Sequence, residues 1–365
     1  MRQRNRNTCA RLAAIVLAAL AVPPTLLSCS RGSRESPRKE SEVQENRKVS
    51  IGFSIDTLAL ERWQRDLDVF MNRAKELGAD VIVQNAGNSV EEQNKQLLYL
   101  MERRVDVVVV VAKKRDSLTE SIQKLRAKGI AVISYDRLIT DADISLYISV
   151  STEKVGELMA RQLVKLNAGP RWFCILGPDE DYNMTLIKKG IGKVIAGKGI
   201  GIMDTFYTDG WNYDLAYQEA VHVLTGASIP DAIVCGNDAV AVSVLQAIED
   251  YNPGRHIALC GQDADIAACQ NIVQGKQDFT IYKPITQLAA DTADYAVRLA
   301  KGTPPEELVP SRTVINNGFG DIPVIWLDPQ IVTKDNIDEV IVRSGFHTAG
   351  EVYRLARGRN AADAD

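Results

Sequence analysis

Residues 107–111 are all valine, and this run constrains the fold more than any other feature of the chain. Five β-branched residues with no polar alternation suit a strand buried on both faces, as in a parallel sheet with helices on either side. The flanking sequence supplies such a sheet. From residue 49 onward, short apolar runs at 49–53, 81–83, 105–111 and 130–134 alternate with amphipathic stretches. The first of these stretches carries Trp63, Leu67, Phe70, Met71, Ala74 and Leu77 at helical spacing and stops at Gly78; helices at 90–103 and 116–128 follow.

A second series repeats the pattern. It opens with a strand at 146–150 and a helix at 153–166, then places strands at 172–176, 201–206, 232–235 and 257–260 between helices at 185–196, 213–224, 239–249 and 264–274. A strand at 279–282, a long helix at 286–300 and short segments at 313–315 and 324–326 complete it. Alternating strands and helices in two runs predict an α/β protein of two Rossmann-like lobes, each with a parallel sheet. A length of 365 residues accommodates two such lobes with tails. The expected boundaries are 49–150 with 284–312 for the N-terminal lobe, 151–283 with 313–347 for the C-terminal lobe, and 348–365 as a disordered tail.

The N-terminus is of another kind. Arg2, Arg4, Arg6 and Arg11 precede an apolar run at 12–22 that is too short to span a bilayer, the form of an export signal. It ends in Leu26-Leu27-Ser28-Cys29, which resembles the lipobox of bacterial lipoproteins. Residues 1–28 are therefore expected to be a lipoprotein signal peptide, Cys29 the lipidated residue and 29–48 a flexible tether. The protein would sit in the periplasm or at the cell surface, tied to a membrane by its N-terminus. Cys174, Cys235, Cys260 and Cys269 remain, most of them in apolar strand patterns that favour buried thiols over disulfides. A net charge of −4 argues against nucleic acid, and three scattered histidines offer no metal cluster.

The polar residues that matter stand where strands end, since open α/β sheets bind ligands at the carboxyl edge of their strands. Asp136 and Arg137 follow one apolar run, Asn237 and Asp238 a second, Gln262 and Asp263 a third. Asp181 and Asn183 follow the strand at 172–176, and Lys283 is held extended before Pro284. The segment 179–190 begins like a calcium loop but has Met184 and Gly190 where Gly and Glu are required, which rules out that use. Trp63, next to Arg62, falls on the apolar helix stripe and serves equally well as a core residue or as a flat wall for a sugar ring. Trp211 stands at an equivalent edge of the second lobe. Trp172 and Trp326 lie inside strand patterns and belong to cores. Lys113, Lys114 and Arg115 read as the solvated rim of one lobe. No nucleophile lies near a histidine, so binding is favoured over catalysis and no cofactor is expected.

From about residue 48 to 347 the chain resembles the type I periplasmic sugar-binding proteins that feed ABC transporters, and among them the xylose-binding proteins. The resemblance is carried by Leu60-Glu-Arg-Trp-Gln64, Tyr135-Asp-Arg137, Asp141-Ala-Asp-Ile144, Glu153-Lys-Val-Gly-Glu157, Asp209-Gly-Trp211, Gly261-Gln-Asp-Ala-Asp265, Tyr282-Lys-Pro-Ile285 and Asn316-Asn-Gly318, in that order. It implies a periplasmic-binding-protein-like type I fold with a three-segment hinge and a monosaccharide, D-xylose or a related aldopyranose, enclosed between the lobes. The sugar would be held by Arg62, Asp136, Arg137, Asp181, Asn183, Asn237, Asp263 and Lys283, with Trp63 and Trp211 against its faces. It further implies a monomer that serves an ABC permease. A sensing role for a chemoreceptor or sensor kinase is the alternative, and an enzyme acting on a sugar is a third reading.

Overall fold

The computed structural model describes residues 47–251, 254–309 and 312–355. The expected signal peptide, Cys29 and the tether up to residue 46 lie outside the described residues. From Lys48 onward the chain forms one unit built on two sheets.

The valine run is β3 (Val107–Val111), and all five of its side chains are fully buried. It lies between β1 (Ser50–Ile55) and β4 (Ala131–Tyr135) in parallel register. Alternation divides the valines between two cores: Val107, Val109 and Val111 face one layer of helices, Val108 and Val110 the other. Beyond β1 lies β2 (Asp80–Asn85), and beyond β4 lies β5 (Leu146–Val150). Helix α1 (Glu61–Glu76) turns its stripe of Trp63, Leu67, Phe70 and Ala74 into the first of these cores. Helices α2 (Val90–Glu102) and α3 (Thr119–Ala127) pack on each other.

The second sheet contains β6 (Arg171–Leu176), β7 (Gly201–Tyr207), β8 (Ala232–Cys235), β9 (Ala258–Gln262) and β10 (Phe279–Tyr282), all parallel, in the order 10-9-8-6-7. Its helices are α4 (Thr152–Lys165), α5 (Tyr182–Ile195), α6 (Tyr213–Thr225), α7 (Asp238–Tyr251) and α8 (Ile266–Gln274). The long helix α9 (Ile285–Ala300) returns to the first lobe and packs along α1. Cys174, Cys235, Cys260 and Cys269 are buried free thiols.

Two expectations are corrected. Residues 313–347 do not all belong to the second lobe, because β11 (Val314–Asn316) and β12 (Asp321–Leu327) extend the first sheet: β12 pairs in parallel with β5. Only β13 (Gln330–Thr333), antiparallel to β10, closes the second sheet. The chain thus crosses between sheets after β5, after β10 and after β12, which makes a three-segment hinge. The C-terminal segment from 348 is also ordered at its start. Thr348 and Glu351 form a capping box on a short helix, Ala349–Val352, and Val352 is fully buried among Ile272, Ile337 and Ile341. The rest of the expected tail, 356–365, lies outside the described residues.

Candidate functional site

All ten residues expected at the site line one small cavity between the two sheets. Each comes from the carboxyl end of a strand or from the helix that follows. Arg62 and Trp63 open α1 after β1, and Asp136 and Arg137 follow β4. From the other lobe, Asp181 and Asn183 follow β6, Trp211 follows β7, Asn237 follows β8, Asp263 follows β9 and Lys283 follows β10. Leu60, Met184 and Gln262 complete the wall.

The backbone places these side chains by unusual means. Asp136 sits at φ 61°, a left-handed conformation that costs a non-glycine residue on the order of 1 kcal/mol or more. Its carbonyl is held there by the hydroxyls of Tyr147 at 2.9 Å and Ser149 at 2.8 Å, both on β5. The turn behind it is fixed by Ser134, whose hydroxyl donates to the Arg137 carbonyl at 2.7 Å and accepts from the Ile139 amide at 3.0 Å. Trp211 at φ 60° and Asp263 at φ 99° are bent in the same sense. The indole of Trp211 closes over Gly177, where a Cβ would lie 2.3 Å from the ring; only glycine leaves it room.

Charge is paired across the cavity. Arg62 binds Asp136 and approaches Asp263 at 3.6 Å, and Lys283 meets Asp263 at 2.6 Å. Arg137 binds Asp56 and, through Nε, Asp181 at 2.7 Å. The Asn183 amide donates to Asp136 at 2.9 Å, while Asp181 caps α5 by accepting from the Asn183 amide N–H at 3.0 Å. The Arg62 guanidinium lies 4.4 Å from the centroid of the Trp63 ring and that of Arg137 5.4 Å. Trp63 is therefore both core and wall: 2% exposed, yet on the cavity surface.

Burial raises the pKa of Asp136 while Arg62, Lys283 and Arg137 lower it, and the balance holds this carboxyl below its ordinary value. Asp181 moves the other way, because burial outweighs Arg137. The site thus presents carboxyl groups and cationic side chains alternating around a small space. Such a set can accept from and donate to the hydroxyls of a polyol.

Several participants were missed by sequence reasoning. Asp56 and Asp66 both lie within the charge network; the signal for Asp66 was an acid four residues after Arg62, between Trp63 and Phe70 on the buried stripe. In the sequence Asp238 reads as part of a polar strand tip. It is fully buried beneath the site, where it accepts from Thr280 at 2.8 Å and Gln277 at 3.1 Å. Lys113 is not a solvated rim residue: its ammonium crosses to Glu180 of the second lobe at 2.9 Å with its side chain 11% exposed. Lys114, by contrast, stays exposed beside Asp116.

Residues 51–304 match the family model described as a periplasmic binding protein domain. The chain belongs to the periplasmic binding protein family. It is 38% identical over 318 residues to the D-xylose-binding periplasmic protein of Haemophilus influenzae, covering 86% of this chain and 95% of that protein. It is likewise 38% identical over 312 residues to the D-xylose-binding periplasmic protein of Escherichia coli, covering 84% and 93%. Among solved structures, an ABC transporter solute-binding protein from Clostridium phytofermentans with bound β-D-glucose superposes with a TM-score of 0.75 at 27% identity, covering 83% of this chain and 99% of that one. This family member has the type I fold, two α/β lobes with mostly parallel sheets. Among its described residues no helix is long and apolar enough to cross a membrane.

Proposed function

We propose that this protein captures a monosaccharide, D-xylose or a closely related aldopyranose, in the interlobe cavity and delivers it to an ABC sugar permease. It acts as a binder and not as an enzyme, outside the cytoplasm, held to a membrane by lipid on Cys29. The observation that carries the reading is the composition of the cavity wall: three cation–carboxylate groupings contributed by both lobes, with two indoles beside them. A sugar hydroxyl donates one hydrogen bond and accepts others, so it fits between a carboxylate and a cation; the C–H face of a pyranose covers an aromatic ring. The resemblance to xylose-binding relatives at 38% identity supports the choice of sugar.

Arg62, Trp63, Asp136, Arg137, Asp181, Asn183, Trp211, Asn237, Asp263 and Lys283 hold the sugar in this account. Because they come from both lobes, the sugar gains more contacts in the closed form than in the open one and shifts the equilibrium toward closure. A thermal-shift screen over aldopentoses and aldohexoses tests the reading. D-Xylose or a near epimer should raise the melting temperature most, since a molecule that binds only the folded state stabilises it. No shift with any aldose would contradict it.

A further inference from the structure

We propose that Gln262 holds the sugar directly, its side-chain oxygen Oε1 accepting a hydrogen bond from one particular hydroxyl while its Nε2 braces the neighbouring strand tip. The inference rests on the sugar-binding reading above and adds to it a neutral acceptor among the charged groups of the wall. Gln262 is the last residue of β9, next to Asp263, and it lines the cavity.

Two observations define what this side chain can do. Its Nε2 lies 2.6 Å from the Gly236 carbonyl, just past the end of β8. A carbonyl only accepts, so the amide is oriented with its NH₂ toward Gly236 and its oxygen on the other arm. That oxygen is the second observation. Gln262 is 3% exposed, and Oε1 is buried with no hydrogen-bond partner among the described residues. A buried acceptor left unpaired is costly, so an acceptor of this kind in the wall of a binding cavity is matched to a donor that arrives with the ligand.

The surroundings hold the amide in this orientation. Gly236, which accepts from Nε2, packs so closely on the next strand tip that a Cβ there would stand 2.5 Å from the Gly177 nitrogen, and the indole of Trp211 covers Gly177 in turn. The brace from Gln262 therefore supports the strand tips on which Asn237 and Trp211 depend. Asn237 accepts from the Val240 amide through Oδ1 at 2.9 Å, which leaves its NH₂ as the donating arm. Adjacent strand tips thus offer a ligand opposite halves of an amide: Asn237 the donor, Gln262 the acceptor. The carboxylates of the wall are engaged by Arg62, Arg137 and Lys283, whereas Oε1 is engaged by none of them.

The test compares the wild-type full chain with Gln262→Met, which keeps the length of the side chain and removes both polar arms. In calorimetric titration the variant should bind D-xylose about tenfold more weakly. Both proteins are then titrated with D-xylose analogues that each lack one hydroxyl. For one analogue the two affinities should agree within about twofold, because the hydroxyl that Gln262 served is gone, and for the others the tenfold difference should remain. A penalty equal for every analogue would show that Gln262 only braces Gly236, and equal affinity of the two proteins for D-xylose would show no contribution at all; either result overturns the contact. A crystal structure of the wild-type protein with D-xylose reads the same contact without a variant. A sugar hydroxyl should lie within about 3 Å of Oε1, and a bound sugar with no hydroxyl in that reach overturns the inference alone, even if Gln262→Met failed to fold. Absence of binding by every aldose would overturn the sugar reading and this inference together.

Discussion

Arg137 shows how tightly this site couples binding to stability. One buried guanidinium serves Asp56 on the first lobe and Asp181 on the second, and it also donates to the Ala112 carbonyl at 3.2 Å. Arg137→Ala strands two buried carboxylates, and breaking a buried pair on one side costs about 3–5 kcal/mol. Urea unfolding at neutral pH should register a loss of that size, and a loss under about 1 kcal/mol would show that water already screens the cluster. Arg137→Lys should recover little, because an ammonium cannot span both carboxylates as a planar fork does. Residues of this kind were legible in the sequence, since Asp136, Arg137, Asn237 and Asp263 interrupt apolar runs where strands end. Asp66 was not, because an acid on a helix reads as solvated face until packing shows which side it occupies. The hydroxyls of Tyr147 and Ser149 were invisible for a different reason: they act on a carbonyl more than ten residues away and leave no local pattern.

Among the elements, the crossing of α4 and α5 sets the floor of the second lobe. Gly156 lies against the Ile187 carbonyl, where a Cβ would come within 2.1 Å, and Gly190 lies against the Glu153 carbonyl, where one would come within 2.0 Å. The two helices meet backbone to backbone, and α5 carries Asn183 into the cavity at its first turn. Gly156→Ala must push the helices apart, an overpacking expected to cost about 1–3 kcal/mol in denaturant unfolding and to weaken sugar binding through displacement of Asn183. Unchanged stability would mean that the crossing yields to a methyl group without loss of packing. Strand and helix alternation was readable from periodicity because each period lies within one element. The membership of β12 was not, since pairing with β5 joins residues 324–327 to 147–150, and no local pattern records so distant a partner. The short edge strand β13 escaped for the same reason.

The molecule as a whole is closed by contacts outside the cavity as well as by those lining it. On one side Lys113 reaches Glu180, and Arg115 approaches Thr185 at 3.5 Å. On the other, Arg65 of α1 donates to the Phe346 carbonyl at 2.7 Å, stacks 4.2 Å from its ring and lies 3.4 Å from His347 Nδ1. These ties join the first lobe to the second around the sugar site and make closure a property of both lobes together. The two-lobe plan was legible from the repeated alternation of strands and helices; the ties were not, because each joins residues far apart in the chain. A sugar gripped between the lobes would be covered by Trp211 of the second lobe. Calorimetric titration of D-xylose into the wild-type protein and Trp211→Ala tests this most directly. The wild type should show one saturable site per chain, and the variant, with native circular dichroism, an affinity at least about tenfold weaker. Equal affinity in the two proteins, or no binding by the wild type, would contradict it.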